Sequence, residues 1–498
     1  MPNKESISVG KSDIIWSYIA KFLGIASGLL VLPFILNRLT AEEMGLNYLM
    51  LTIGSMVSLL DFGFSPQFGR NITYVFSGAK ELAKEGFSKK EVDSKPSYRL
   101  VATVIITAKM VYKRLSLLVL LIMLTAGTWY IHYVTDGFSQ VPNTLLIWII
   151  YSLSVYFNIY FNYYSSLLTG RGLIKENSIS IILSKLSYIM ITLGMIFMNC
   201  GLLSIVVANF ISPFIQRFYA YKMFYGRGLK KLLPVDIKKD EIQKTFSTIG
   251  YSAKKLGLTF VGAYVVNKMN MFIVGIYLSL EVTASYGLMV QLGTTMVTMA
   301  SVFFVSYLPV FSNYQVTREY QKLTELLSFT MIIFWALMIC GCIGMFFFGN
   351  WLLDLIGSQT TLPSRWICLL YFLFSTLELN QSNFATIIVT SNRVPFVKPT
   401  LISGAVIFVG TFVVLKLTTW GILGVVLVQA VVQLSYNDWK WPKQVFEELN
   451  VSLLQFVKLG IIKCNTLIKK NEMSKKNWNI TRRISSSSSC QGGGLLRT

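Results

Sequence analysis

Four lysines, Lys21, Lys254, Lys255 and Lys268, stand inside stretches that are otherwise apolar. An ionisable group at the centre of a membrane helix costs at least ~2.5 kcal/mol on insertion scales, so each asks for a purpose. Lys21 lies about eight residues into its stretch, roughly 12 Å by helical rise, and Lys254 holds the equivalent place in a later one. Two readings compete: long stems that reach back to the head groups, or two symmetry-related cations that face each other across a cleft and hold an anionic substrate. Lys268 follows Lys254 by fourteen residues. At 100° per residue it falls on nearly the same helical face and extends a cationic stripe. Beside it, Asn267, Asn270 and Tyr264 offer donors and acceptors suited to sugar hydroxyls, and equally to bonds between helices. Lys185 and Arg217 lie near the ends of their stretches and read as side chains reaching the interface.

Glu378, followed by Asn380, Gln381 and Asn383, is the one acidic residue expected deep in the membrane. Such a carboxylate either binds a coupling proton or cation, or neutralises a lysine of the opposite half. Asp61, shortly before Pro66, is expected to shape a helix end. The six cysteines show no paired C-x-x-C spacing and read as small core residues, and the single histidine, His132, has no company for a metal or a triad. With no Gly-rich phosphate loop, nucleophile elbow or H-E-x-x-H, no enzyme is indicated and no cofactor is expected.

The elements that must carry these groups are membrane helices. In 498 residues, 53% are apolar and 14% charged. The mean hydropathy is +0.57. These values exclude large soluble domains and disordered tails. Spans of about 20 apolar residues fall near 14–36, 45–64, 115–134, 144–168, 179–198, 202–221, 248–278, 282–308, 326–348, 366–390, 399–417 and 421–435. From an inside N-terminus, the inside loops collect seventeen basic residues, from Lys80 to Lys398, and the basic tail; the outside loops hold only Arg38, Arg365 and Lys416. That asymmetry places both termini inside and accounts for the net charge of +22 without nucleic acid. The inside loops Ser77–Arg114 and Tyr221–Thr245 are expected to hold helices lying at the lipid surface.

The second of these loops divides the chain, and a repeat supports the division. Tyr18-Ile-Ala-Lys21-Phe-Leu-Gly24 in span 1 matches Tyr251-Ser-Ala-Lys254-Lys255-Leu-Gly257 in span 7 at five of seven positions. Six spans per half make a parallel repeat, with substrate expected between the halves. The expected organisation is a six-helix bundle over 1–221, an interbundle loop over 222–246, a second six-helix bundle over 247–442 and a basic tail over 443–498. The amphipathic stretch Val451–Ile462 and the basic run Lys469–Arg483 are expected to rest on anionic lipids. Gly24-Ile-Ala-Ser-Gly28 is assigned to close helix packing.

Several short motifs, in order along the chain, carry a resemblance. They are Leu60-Asp-Phe-Gly-Phe-Ser-Pro66 with Arg70 after it, Leu168-Thr-Gly-Arg-Gly-Leu173, Ala284-Ser-Tyr-Gly287, Thr390-Ser-Asn-Arg393 and Tyr436-Asn-Asp-Trp-Lys-Trp-Pro442. Over roughly 11–442 the chain resembles the Wzx-type polysaccharide flippases of the multidrug/oligosaccharidyl-lipid/polysaccharide (MOP) exporter superfamily. The resemblance implies an all-α integral membrane fold of about twelve helices in two bundles forming a V around a central cavity. It also implies alternating access that carries an undecaprenyl-pyrophosphate-linked oligosaccharide, an O-antigen or capsule repeat unit, across a bacterial inner membrane. In that setting Lys21, Lys254, Lys255 and Lys268 would meet the pyrophosphate and Asn267 and Asn270 the glycan. A proton or Na+ gradient would act through Glu378, Asp61 and Arg70 would belong to a gating or structural motif, and a polysaccharide polymerase complex would be a partner. Two other readings are weighed beside it: a drug:cation antiporter on the same fold, which would favour acidic cavity residues, and an O-antigen polymerase or other integral glycosyltransferase, which would need a sizeable outer loop or acidic motif.

Overall fold

The computed structural model describes residues 11–61, 63–82, 96–226, 228–234, 236–390 and 395–466, and all the elements in them are helical. The helices are α1 Lys11–Arg38, α2 Ala41–Ser58, α3 Phe64–Phe76, α4 Tyr98–Ile122, α5 Thr128–Val134, α6 Thr144–Phe161, α7 Tyr163–Gly170, α8 Ile174–Phe197 and α9 Leu203–Tyr225. They continue as α10 Leu229–Leu232, α11 Lys239–Tyr277, α12 Leu280–Ser306, α13 Leu308–Val316, α14 Tyr320–Ile356, α15 Arg365–Thr390, α16 Val397–Leu417, α17 Gly421–Ser435 and α18 Asn437–Glu448. A last helix, α19, covers 453–466. Among the described residues nine helical segments are long and apolar enough to cross a membrane. Outside those nine, α2, α11 and α15 cover the expected spans 2, 7 and 10, and they carry Glu42 and Glu43, the lysine stripe, and Glu378.

Local chemistry explains where helices start and break. At the start of α2, Thr40 N–H donates to the Glu43 carboxylate at 3.0 Å and Glu43 N–H to the Thr40 hydroxyl at 3.2 Å. This reciprocal capping satisfies two donors that the first turn leaves unpaired. Span 2 is broken by a 3-10 turn, Leu59–Asp61, and by Gly63 at φ 73, a left-handed conformation that glycine adopts without a steric penalty. Ser97 caps α4 by accepting from Leu100 N–H. Between α4 and α5 lies a π-helical turn, Met123–Gly127. There a Cβ on Gly127 would lie 2.6 Å from the buried Trp148 ring, whose Nε1 donates to Thr128 Oγ1 at 3.0 Å.

Two expectations change. The stretch Ser77–Arg114 is not all a surface loop: from Tyr98 onward it is a continuous extension of the helix that becomes span 3. Val101, Val104, Ala108, Val111 and Tyr112 on that extension are buried against neighbouring helices, which a helix lying on lipid would not provide. The amphipathic stretch 451–462 is also more than a lipid-surface element. Phe456 on α19 is fully buried among Trp335, Phe384 and Phe446, and Lys463 Nζ pairs with Glu325 at 3.1 Å. On the same helix Leu453, Leu454, Ile461 and Ile462 are exposed, Leu454 by 83%. Among the cysteines, Cys342 and Cys368 are buried, whereas Cys340 is exposed.

The chain forms two compact units. The first comprises Met1–Gln291, Phe347–Cys368 and Val397–Val432, the second Leu292–Phe346, Leu369–Phe396 and Gln433–Thr498. In the first, Phe68, Ile72, Tyr112, Leu167, Phe224 and Ile249 centre a core shared by α3, α4, α7, α9 and α11. In the second, Phe304, Phe311, Phe334, Phe384, Trp441 and Phe456 join α12 to α15, α18 and α19.

Candidate functional site

Lys21 is exposed on α1. Ala20, Ser27 and Val31 are buried on the same helix, and Ser17 bonds Ser178 of α8 at 3.2 Å. Tyr18 and Tyr251 are both exposed, and Ala20 and Ala253 both buried. Of the matching cations on α11, the side chains of Lys254 and Lys255, like that of Asn267, lie outside the described residues. Lys268 is half-buried. Two residues on, Asn270 is buried; it donates to Gln429 Oε1 at 2.9 Å and accepts from Thr411 Oγ1 at 3.0 Å, tying α11 to α17 and α16. Its amide thus holds the helices together within the first unit. Lys185 lies 6.0 Å from the Tyr188 ring, and the Arg217 guanidinium covers the Phe161 ring at 4.6 Å.

Glu378 stands midway along α15 in the second unit, half-buried. Gln433 Nε2 approaches its carboxylate at 3.4 Å, Gln433 Oε1 accepts from Asn437 Nδ2 at 2.8 Å, and Asn437 Oδ1 accepts from Trp441 Nε1 at 3.3 Å. This polar chain runs from the middle of α15 to the start of α18. There Asp438 is buried, with Oδ1 lacking a hydrogen-bond partner among the described residues. Asp438, Asn380 and Trp439 line a cavity of about 860 Å³. Asn380 accepts from Trp335 Nε1 at 2.9 Å and Asn383 lies 3.8 Å from the Met331 sulfur, so these amides fasten α15 to α14.

In the first unit the helix ends on the expected outer side are joined. Asn37 Nδ2 donates to the carbonyls of Ile356 and Gly357, Arg38 to Asn199 Oδ1 at 3.1 Å, and Glu43 accepts from Leu202 N–H at 3.0 Å. Small residues let backbones meet. A Cβ on Gly45 would overlap the Leu280 carbonyl oxygen, one on Gly275 would lie 2.6 Å from the Tyr130 hydroxyl, and one on Gly287 would collide with the Tyr48 ring. Across this seam Tyr48 donates to Gln291 at 2.6 Å and Tyr130 stacks on Phe272 at 4.2 Å. The arrangement can hold α2 against α11 and α12.

At the other end of span 2, Asp61 accepts from Tyr112 Oη at 2.6 Å and from Ser65 N–H at 3.2 Å, joining the helix break to α4. Arg70, about two turns from the break on α3, donates to Gln67 Oε1 at 2.5 Å and lies 5.9 Å from the Tyr74 ring. Arg171 of the 168–173 motif donates to the Phe224 carbonyl at 2.6 Å and rests on the Phe76 and Phe224 rings. The motif residues 391–393 lie outside the described residues. The sequence reading missed Gln291 and Gln433, and it quoted Asn437 only within the motif 436–442, without a link to Glu378. Their signal was the same as that of Glu378, a polar side chain in or beside an apolar span, which marks either a site or a bond between helices.

The fold is similar to two kinds of solved transporter. A multidrug resistance MATE family transporter of the MOP superfamily, in an inward-facing conformation, matches with a TM-score of 0.58 and 12% identity over 86% of this chain and 95% of that one. The lipid II flippase MurJ, in an inward closed conformation, matches with a TM-score of 0.61 and 14% identity over 91% of this chain and 92% of that one. At these identities the likeness is one of fold: this chain has the all-helical, multi-pass architecture of MOP superfamily transporters. No protein-family profile and no curated protein matches the sequence.

Proposed function

We propose that the protein is a transporter that moves an undecaprenyl-pyrophosphate-linked oligosaccharide from the inner to the outer leaflet of a bacterial inner membrane by alternating access. The observation that carries this reading is the cationic character of α1 and α11, with Lys21 exposed on one and Lys268 half-buried on the other, in a fold shared with a lipid II flippase. A pyrophosphate requires cations, a glycan requires a wet cavity with hydrogen-bonding groups, and the lipid tail can remain in the bilayer. In this reading 1–221 and 247–442 act as the two halves, 222–246 links them, and 443–498 adds a basic surface for anionic lipids. Glu378, with its polar chain through Gln433 and Asn437, is the coupling candidate for a proton or Na+.

The test is complementation of a flippase-deficient strain carrying the cognate polysaccharide locus, at matched expression. Wild type should restore surface glycan, and Lys21→Ala, Lys254→Ala and Lys268→Ala should lose it. Failure of correctly inserted wild type with cargo present would refute the assignment. The similarity to a MATE transporter and the carboxylate of Glu378 support a second reading, a drug:cation antiporter. Export of cationic dyes by the purified protein, with lipid-linked glycan ignored, would establish that reading.

A further inference from the structure

We propose that the groove between α3 and α7 binds a phosphate group on the inner side of the membrane, through residues separate from the lysines above. The two helices meet backbone to backbone: a Cβ on Gly170 would lie 2.5 Å from the Gly69 carbonyl oxygen and 2.7 Å from Ile72 Cβ. Beside that contact Ser65, Arg70, Thr73, Ser165, Ser166 and Thr169 line a cavity of about 340 Å³. The lining carries one full charge, the Arg70 guanidinium, several hydroxyls and no carboxylate.

Arg70 spends one donor on the neutral Gln67 amide, and among the described residues no carboxylate pairs with it. A guanidinium has five N–H donors in a planar fork that matches two phosphate oxygens, so most of its capacity is left for a ligand. Ser65 and Ser166 share one hydrogen bond of 2.9 Å. Of their two hydroxyl protons one is used between them, leaving the other for an anion. Thr73 and Thr169 donate to carbonyls of their own helices and can rotate onto a ligand oxygen. Asp61, which accepts from the Ser65 amide, is also engaged by Tyr112 and is not part of the lining.

Simple orientation charge would explain Arg70 alone, since an inside arginine needs no pocket. It does not explain a carboxylate-free ring of hydroxyls built around that arginine by a glycine contact. The ligand chemistry is a phosphate monoester or diphosphate, borne either by a lipid head group or by a free anion. The proposal does not depend on the oligosaccharide reading, because phosphate binding and glycan flipping are read in separate experiments.

The test uses the full chain purified in detergent, with Lys21, Lys254, Lys255 and Lys268 replaced by glutamine in parent and variants alike, so that the lysines of α1 and α11 do not contribute to the binding that is read. Binding of a polyprenyl monophosphate, and of the matching polyprenol without phosphate, is followed by native mass spectrometry, with inorganic pyrophosphate as competitor. The phosphate lipid should bind and the polyprenol should not, and Arg70→Gln should weaken binding about tenfold or more. Competition by pyrophosphate assigns the site to any free phosphate group, whereas binding that resists competition but is lost in Arg70→Gln assigns it to a lipid head group. Equal binding of both lipids, or undiminished binding in Arg70→Gln, overturns the proposal. Should that variant not yield monodisperse protein, Thr73→Val combined with Thr169→Val carries the test against the same criteria.

Discussion

Gly45→Ala would place a methyl group against a backbone that cannot yield. The new Cβ overlaps the Leu280 carbonyl oxygen and lies 2.9 Å from its carbon and 3.2 Å from Leu280 Cα. Carbon contacts are comfortable near 3.5–4.0 Å, so the start of α2 must move away from the α11–α12 turn by several tenths of an ångström to about 1 Å. Overpacking of this kind costs about 1–3 kcal/mol. The gain in helix propensity from Gly to Ala, up to about 1 kcal/mol, applies whether the seam is closed or open and so cancels from that equilibrium. The clash does not cancel, and 1–3 kcal/mol shifts the population toward the open seam by about 5- to 150-fold. We predict that a single cysteine at Leu280, which is 3% exposed, reacts with a membrane-impermeant maleimide at a rate set by the open population. With the native cysteines replaced, that rate should rise at least about fivefold in Gly45→Ala. A rate within twofold of the parent, at equal yield of folded protein, would show that the glycine contact does not govern opening of these helix ends.

Asn270→Ala should lower thermal stability in detergent by about 1–3 kcal/mol, because the buried Thr411 hydroxyl loses its acceptor. If stability is unchanged while glycan export falls, the residue faces cargo instead of its neighbours. Phe456→Ala removes a fully buried ring and should cost the packing of α19 about 3–5 kcal/mol, seen as faster proteolysis between 449 and 466 with the rest of the chain intact. On the coupling role proposed for it, Glu378→Gln should leave protein yield near wild type and abolish any dependence of transport on a proton or Na+ gradient that the wild type shows; retained dependence refutes that role. The hydrogen bonds from Arg99 at 2.7 and 3.1 Å hold the Glu241 carboxyl below its ordinary range. A depressed carboxylate pKa gives stability that is present above the ordinary glutamate range and is lost as pH falls through the folded value. The difference in stability between wild type and Glu241→Gln should therefore shrink below about pH 4, and it should be small, since water reaches both side chains, 52% of Arg99 and 34% of Glu241 being exposed.

Composition and apolar periodicity alone identified a chain of membrane helices, because lipid leaves few ways to satisfy a backbone and about 20 apolar residues are a length signal that survives any packing. The expected bounds of span 11, 399–417, and the helix Val397–Leu417 agree closely for that reason. The individual polar residues were visible as anomalies in the same way: Lys268, Asn270, Glu378 and Asp61 each interrupt or adjoin an apolar run. What each does was not visible, since a buried amide that bonds a neighbouring helix and one that bonds a ligand have the same sequence signature. Only the packing of α11 against α16 and α17 assigned Asn270 to Thr411 and Gln429. In the same way, only the fold brought Gln433 and Asn437 into line with Glu378, across 55 residues of chain in the first step. Glycines were the least legible. Gly45 and Gly275 look like ordinary small residues, and their meaning lies in which backbone or ring approaches them from another helix. Hydrophobic pattern is local and is written along the chain, whereas contact between helices depends on three-dimensional register, which tertiary structure alone decides.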